Sequence, residues 1–259
     1  MIFPIGERCQ KFINYMKVTK NDITIVYYTS NQLEKDNPYF LSNTKKQLLK
    51  AVADFPIVSV SHKPIDLGTN ICLGDIGRSH LNLYKQILIG AKASKTKYIA
   101  CAEDDIFYSY EHFHQELPRG DYFLYDMNKW SIFTWTKPPQ YTYRDRLVVN
   151  QLIAPRDYLV EALEERFARV EELKKTKSEA DIIKYWGDPG RYEKYLGVKV
   201  REVKHFFSSV PSIVFTHESA FGYLNHSNRK KLGNPKAYDI PVWNRAEDIL
   251  KLYYDPNTA

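Results

Sequence analysis

The sequence predicts an α/β protein, a mostly parallel sheet flanked by helices with an antiparallel extension in its second half. Three observations predict it. β-rich runs alternate with amphipathic helical stretches through the first part of the chain. The apolar run Tyr98–Ala102 reads as a buried strand, because it is compact and preceded by a polar helix end. Beyond it, aromatic strands at residues 122–125 and 130–135 follow one another with no helix between them, as antiparallel additions would.

The elements follow in order. Residues 22–28 (DITIVYY) are β-branched and aromatic, and a polar loop over 29–38 follows. Residues 42–52 fit a helix with Leu48, Leu49 and Val52 on one side and Ser42 or Asn43 as its cap. After a second strand at 56–60 comes a long loop, 61–77, holding Pro64, Gly68, Gly74 and Gly77; loops of that length between core elements tend to be functional. Residues 78–93 form an amphipathic helix through Leu81, Tyr84, Leu88 and Ala91, and the acid-tipped strand comes next. Later, residues 147–153 read as a strand. Pro155 opens a helix to about residue 175, with a stripe of Leu159, Leu163, Phe167, Val170 and Leu173. Residues 186–190 (WGDPG) are a turn, Ser212–Thr216 is a strand leading into His217, and a short helix lies near 246–253. One domain spans 1–259, with halves at about 20–120 and 121–235 and a tail at 236–259.

Composition bounds the function. With 44% hydrophobic residues, 20 Tyr and 13 Phe, the chain can bury a large core. No apolar run approaches the roughly 20 residues of a membrane helix, and the N-terminus lacks the order of a signal peptide, so the expectation is a cytoplasmic protein without stable membrane insertion. Cys9, Cys72 and Cys101 are odd in number and far apart, which argues against a disulfide framework or a zinc ribbon. A net charge of +6 permits a polyanionic partner without demanding one, and no protein partner is evident.

The chemistry concentrates where the strand Tyr98–Ala102 stops on Glu103, Asp104 and Asp105. Ligands of open α/β sheets bind at that carboxyl edge, and adjacent carboxylates there repel unless a cation offsets them. Such oxygen ligands suit Mg²⁺ or Mn²⁺, ions that hold a diphosphate. If the chain stays extended, Glu103 and Asp105 share a face and Asp104 points elsewhere, which makes Asp105 the metal contact. The alternative is that the acids cap the next turn. His112 and His114 form an HxH read as structural, since no third ligand accompanies them.

The run VSVSHKPIDLGTNICLGDIGRSHLNLYKQILIGAKASKTKYIACAEDDIFYSYEHF, the segment from Tyr125 to Trp130, the Pro-Gly turn and the strand ending in His217 together resemble glycosyltransferases of the GT-A (Rossmann-like) fold, in a phage and microbial subgroup with an EDD version of the DxD motif. The resemblance implies a metal-dependent transfer from a nucleotide sugar, a UDP-sugar foremost, with residues 20–120 as the donor half and 121–235 as the acceptor half. It implies that the segment from Tyr27 through Tyr28, Thr29 and Ser30 touches the nucleoside, that Asp66 or Arg78 helps hold it, and that Glu103 and Asp104 lie beside the donor. Asp105 would bind the metal and His217 would be its distant ligand; a surface or core histidine is the alternative. Arg229 and Lys230 would offset diphosphate charge, or else form a solvated tail. Asp188, before a Pro-Gly turn, is the candidate base of an inverting enzyme, although Asp before Pro also starts helices. Inversion or retention stays open.

For the acceptor, the resemblance and the strip TYRDR over 142–146 point to DNA with a hydroxymethylated pyrimidine, its phosphates met by Arg144 and Arg146 outside the metal site. A surface polysaccharide or lipid-linked glycan is the alternative acceptor. A non-catalytic binder of nucleotide sugars or nucleic acid is the alternative of another class.

Overall fold

A computed structural model describes residues 15–184, 186–220, 234–254 and 256. Its main sheet has seven strands, in the order Val203–Phe206, Phe123–Asp126, Leu152–Pro155, Tyr98–Ala102, Ile23–Thr29, Ile57–Ser61 and Thr69–Cys72. The last four are mutually parallel, with Ile25 paired to both Ile57 and Ala100. Leu152–Pro155 runs antiparallel to both its neighbours, and Val203–Phe206 is again parallel to Phe123–Asp126.

Strand Ile23–Thr29 is buried at every residue, so both of its faces must pack. Alternation sends Ile23, Ile25 and Tyr27 toward Leu48, Ala51 and Val52 of helix Pro38–Val52. Val26 and Tyr28 go the other way, toward Tyr84, Ile87 and Ala91 of helix His80–Ala93. Helix Arg156–Leu173 joins that second face through Leu159, Leu163 and Val170. Each large side chain so buried stabilises the fold by roughly 1.5–3 kcal/mol before entropy is set against it.

A second sheet has the order Lys236–Ala237, Tyr141–Tyr143, Lys129–Phe133, Ser212–Thr216 and Ile106–Phe107. It is antiparallel except where Ser212–Thr216 runs parallel to Lys129–Phe133. Phe40, Phe107, Phe215 and Trp243 form its core, onto which helix Ala246–Lys251 packs. The end of the described chain is tied back to the first helices: Asn37 Nδ2 donates to Tyr253 O and Asn43 Nδ2 to Leu252 O, each at 2.9 Å.

Several expectations are corrected. The loop over 29–38 holds a short helix, Gln32–Asp36. The next helix starts at Pro38, and its cap is Asn37, whose side chain accepts the Phe40 N–H at 3.0 Å, not Ser42 or Asn43. Leu49 turns away from the packed side and is 46% exposed, while Leu48 and Val52 are buried. The loop over 61–77 contributes the edge strand Thr69–Cys72, and strand Tyr141–Tyr143 was not anticipated. Residues 147–153 divide into a 3₁₀ turn, Val149–Gln151, and strand Leu152–Pro155. Among the described residues, no helix is long and apolar enough to cross a membrane.

Helix His80–Ala93 approaches the sheet closely at Gly90, where a Cβ would stand 2.5 Å from Val26 Cγ1 and 3.2 Å from Val60 Cγ2. Both neighbours are stiff, β-branched side chains in the core. Gly90→Ala is expected to lower stability by about 1–3 kcal/mol despite the better helix propensity of alanine, as read by urea denaturation.

Candidate active site

The parallel strands Ile23–Thr29, Ile57–Ser61 and Tyr98–Ala102 end at one edge, and the second sheet rises beside it. Between them lies a cleft of about 500 Å³ that receives Glu103, Asp104, Asp105, Asp188 and His217. The acids reach it because the chain turns at residues 104–105, directly after the buried strand and before strand Ile106–Phe107.

The turn takes the place of the expected extended chain, and all three acids line the cleft. Asp104 points apart from its neighbours, toward the end of strand Ile23–Thr29, where Thr29 Oγ1 donates to its carboxylate at 2.5 Å. Glu103 accepts from Asn150 Nδ2 at 2.6 Å, with the Tyr28 side chain beside it. The Glu103 amide donates to the Tyr108 hydroxyl at 3.1 Å, and that hydroxyl donates to Asn150 O at 2.9 Å. Burial, then the charge of Asp105, pushes Glu103 up to about 8. The same two causes raise Asp104 to about 6.

Asp105 is held by its backbone, whose carbonyl accepts the Phe215 N–H at 3.0 Å. Its Oδ2 lies 3.7 Å from Nε2 of His217, which is 2% exposed and packed by the rings of Phe40 and Tyr253. Asp105 Oδ1 and both His217 ring nitrogens are buried without a hydrogen-bond partner. Orphaned atoms beside a carboxylate and an imidazole 3.7 Å apart suit a divalent ion: two ligands bound to one ion at about 2.1 Å stand roughly 3 to 4 Å apart. Among the described residues no group of three or more His, Cys, Asp or Glu side chains could hold an ion, so of these residues Asp105 and His217 are the pair that fits one. Mg²⁺ and Mn²⁺ accept such a site, completing their shell with phosphate oxygens and water.

Asp188 faces this cluster from the loop after Trp186 and is only 17% exposed. Its Oδ1 accepts from the Tyr84 hydroxyl at 3.1 Å and from the Val149 N–H at 2.8 Å, while Oδ2 lies 3.9 Å from Arg191. The loop backbone is pinned residue by residue. Buried Arg166 donates to the carbonyls of Gly187 and Asp188, at 2.5 and 3.3 Å, and pairs with Glu193 at 2.7 Å. Glu193 also accepts the Gly190 N–H, and Tyr125 donates to Pro189 O at 2.7 Å.

Of the other expected residues, Tyr28, Thr29, Ser30 and Arg78 line the cleft, and Arg78 Nη2 donates to Ser219 O at 2.6 Å. Asp66 does not reach it. Its exposed side chain lies at a separate cavity of about 210 Å³ with Tyr27 and Lys45, because strand Thr69–Cys72 carries its loop to the sheet edge. Arg144 and Arg146, expected outside the metal site, follow strand Tyr141–Tyr143 and line the same cleft. Arg229 and Lys230 lie outside the described residues. His112 is structural, as expected, with its Nδ1 at 3.0 Å from buried Asp126. Tyr84, Asn150 and Arg166 were missed; only Arg166 left a signal, a charge inside the apolar stripe of its helix.

No family model matches the sequence, and no curated protein matches it. Solved structures do resemble it in part. The galactosyltransferase LgtC, in complex with donor and acceptor sugar analogs, is 8% identical at a TM-score of 0.45, over 89% of this chain and 95% of that one. A glycosyltransferase involved in glycosylation of the major capsid of PBCV-1 is 9% identical at 0.39, over 74% and 93%. The glycosyltransferase GlyE of Streptococcus pneumoniae is 8% identical at 0.36, over 63% of this chain, which spans 42% of that one.

The raised carboxyls give a pH dependence. Between the ordinary glutamate value of 4.5 and about 8, the folded chain holds a Glu103 proton that the unfolded chain has released, so stability falls as pH rises. Thermal unfolding in chelator is expected to show this decline from pH 5 to 8. Added Mn²⁺ should stabilise the protein more at pH 8 than at pH 6.

Proposed function

We propose that the protein is a metal-dependent glycosyltransferase of GT-A type, moving a sugar from a nucleotide sugar, a UDP-sugar foremost, to a hydroxyl acceptor. The observation that carries this reading is the meeting of Asp105 and His217, each with unpartnered buried atoms, across from Asp188 in one cleft. Asp105 and His217 would hold the divalent ion, which supplies positive charge to the departing diphosphate. Tyr28, Thr29 and Ser30 border the donor, and Arg78 adds a cation beside the diphosphate.

In the reaction the acceptor oxygen bonds to the anomeric carbon while the bond from that carbon to the diphosphate oxygen breaks. The diphosphate leaves with the electron pair, and the acceptor proton passes to Oδ2 of Asp188. Tyr84 and the Val149 amide fix the other oxygen, which aims Oδ2 at the acceptor. Asp188 in this role implies inversion.

The test is UDP binding by calorimetry with and without Mn²⁺, alongside UDP release from a panel of UDP-sugars. Acceptors in that panel include duplex DNA with hydroxymethylated pyrimidine, the acceptor favoured by the sequence, and glycans. Asp105→Ala is expected to abolish Mn²⁺-dependent UDP binding, and His217→Ala to weaken metal affinity about 10- to 100-fold. Asp188→Asn should keep UDP binding and slow transfer about 10²- to 10⁴-fold. UDP binding indifferent to Mn²⁺ and to Asp105 would refute the reading.

A further inference from the structure

Arg144 and Arg146 stand out among the arginines of this protein. Arg166, Arg169 and Arg201 each close an ion pair with a glutamate. Among the described residues, neither Arg144 nor Arg146 has a carboxylate partner, and neither guanidinium donates a hydrogen bond. Both nevertheless line the cleft, Arg144 half-buried and Arg146 at its exposed mouth. Burial, then the neighbouring charge of Arg146, lowers Arg144 below the ordinary arginine value, against the pull of Asp105, Asp188 and Glu103. Asp188 acts favourably on Arg146, while Arg191 opposes it.

Two like charges that share one cleft, one of them half-buried, each with its donors unspent, are costly unless an anion joins them. The guanidinium fork matches phosphate and carboxylate oxygens in pairs. The position decides which anion. Both arginines follow strand Tyr141–Tyr143 into the cleft and both feel Asp188, which is the first carboxylate to act on Arg146, whereas the proposed diphosphate place lies by Thr29, Arg78, Asp105 and His217. A divalent ion and Arg78 already match the diphosphate charge, so the arginine pair is left over.

We propose that Arg144 and Arg146 form a second anion site that holds a phosphate group of the acceptor, so that the nearby acceptor hydroxyl falls at Asp188. The division into donor and acceptor sides rests on the function proposed above. The chemistry is a phosphorylated hydroxyl compound, and its source is either a small sugar phosphate or the phosphodiester chain of DNA.

The probe is inorganic phosphate, titrated by calorimetry into the full chain saturated with Mg²⁺ and UDP. Phosphate is expected to bind this ternary complex. Arg144→Ala and Arg146→Ala should each weaken phosphate binding 10-fold or more while UDP affinity stays within about twofold. Phosphate that binds only when UDP is absent, or variants that weaken UDP as much as phosphate, would assign the pair to the donor and overturn the proposal. If UDP fails to bind with any metal, the glycosyltransferase reading falls; phosphate binding lost in both variants would then still uphold the anion site, and phosphate binding unchanged in both would remove it. Competition separates the sources: a DNA duplex should displace phosphate with steep salt dependence, and a hexose phosphate with little.

Discussion

The structure depends on the repulsion among three consecutive carboxylates brought to one place at the end of a buried strand. Burial raises the carboxyls of Glu103 and Asp104, and the charge of Asp105 adds to the effect. The fold answers with separate partners: Asn150 for Glu103, Thr29 for Asp104, and the facing ring of His217 for Asp105. Thr29 belongs to the adjacent parallel strand, Asn150 to the turn before the antiparallel strand, and His217 to the second sheet. The architecture around the cleft can therefore be read as the set of elements needed to keep three acids apart and one of them available.

The opposite wall solves a different problem, that of fixing a loop. Four successive residues from Gly187 to Gly190 have backbone groups bonded to side chains, those of Arg166 and Tyr125 from distant elements and that of Glu193 from the helix that follows. A buried ion pair such as Arg166 with Glu193 is weak evidence of net stability, because desolvation offsets much of its attraction. Its geometric effect is plainer, since one guanidinium reaches two consecutive carbonyls and one carboxylate. Gly187 and Gly190 leave the loop little freedom, as a Cβ at either would collide with Tyr192 or Val203.

Much of this was legible in the sequence where a single run of residues carries the signal. An apolar strand ending in acids places those acids at a sheet edge, and an apolar strand ending in His217 does the same for the histidine. What was not legible depends on where the chain bends. The direction of Asp104 follows from a turn at residues 104–105 that three acidic letters do not specify. Asp66 was misplaced because TNIC, a half-exposed edge strand, has no alternation to announce it. Arg144 and Arg146 read as a surface strip until the pairing of Tyr141–Tyr143 with Lys129–Phe133 turned them inward.

The ties from Asn37 and Asn43 to the carbonyls of Tyr253 and Leu252 span 216 and 209 positions of the chain. The Tyr253 ring they anchor packs against both Phe40 and His217. The histidine wall of the cleft is thus finished only when residues from both ends of the described chain meet, a contact of very high order that forms late and slowly. During synthesis the parallel strands can assemble on the ribosome well before that wall exists, so a nascent chain would carry its acids exposed and unready until residue 253 has emerged.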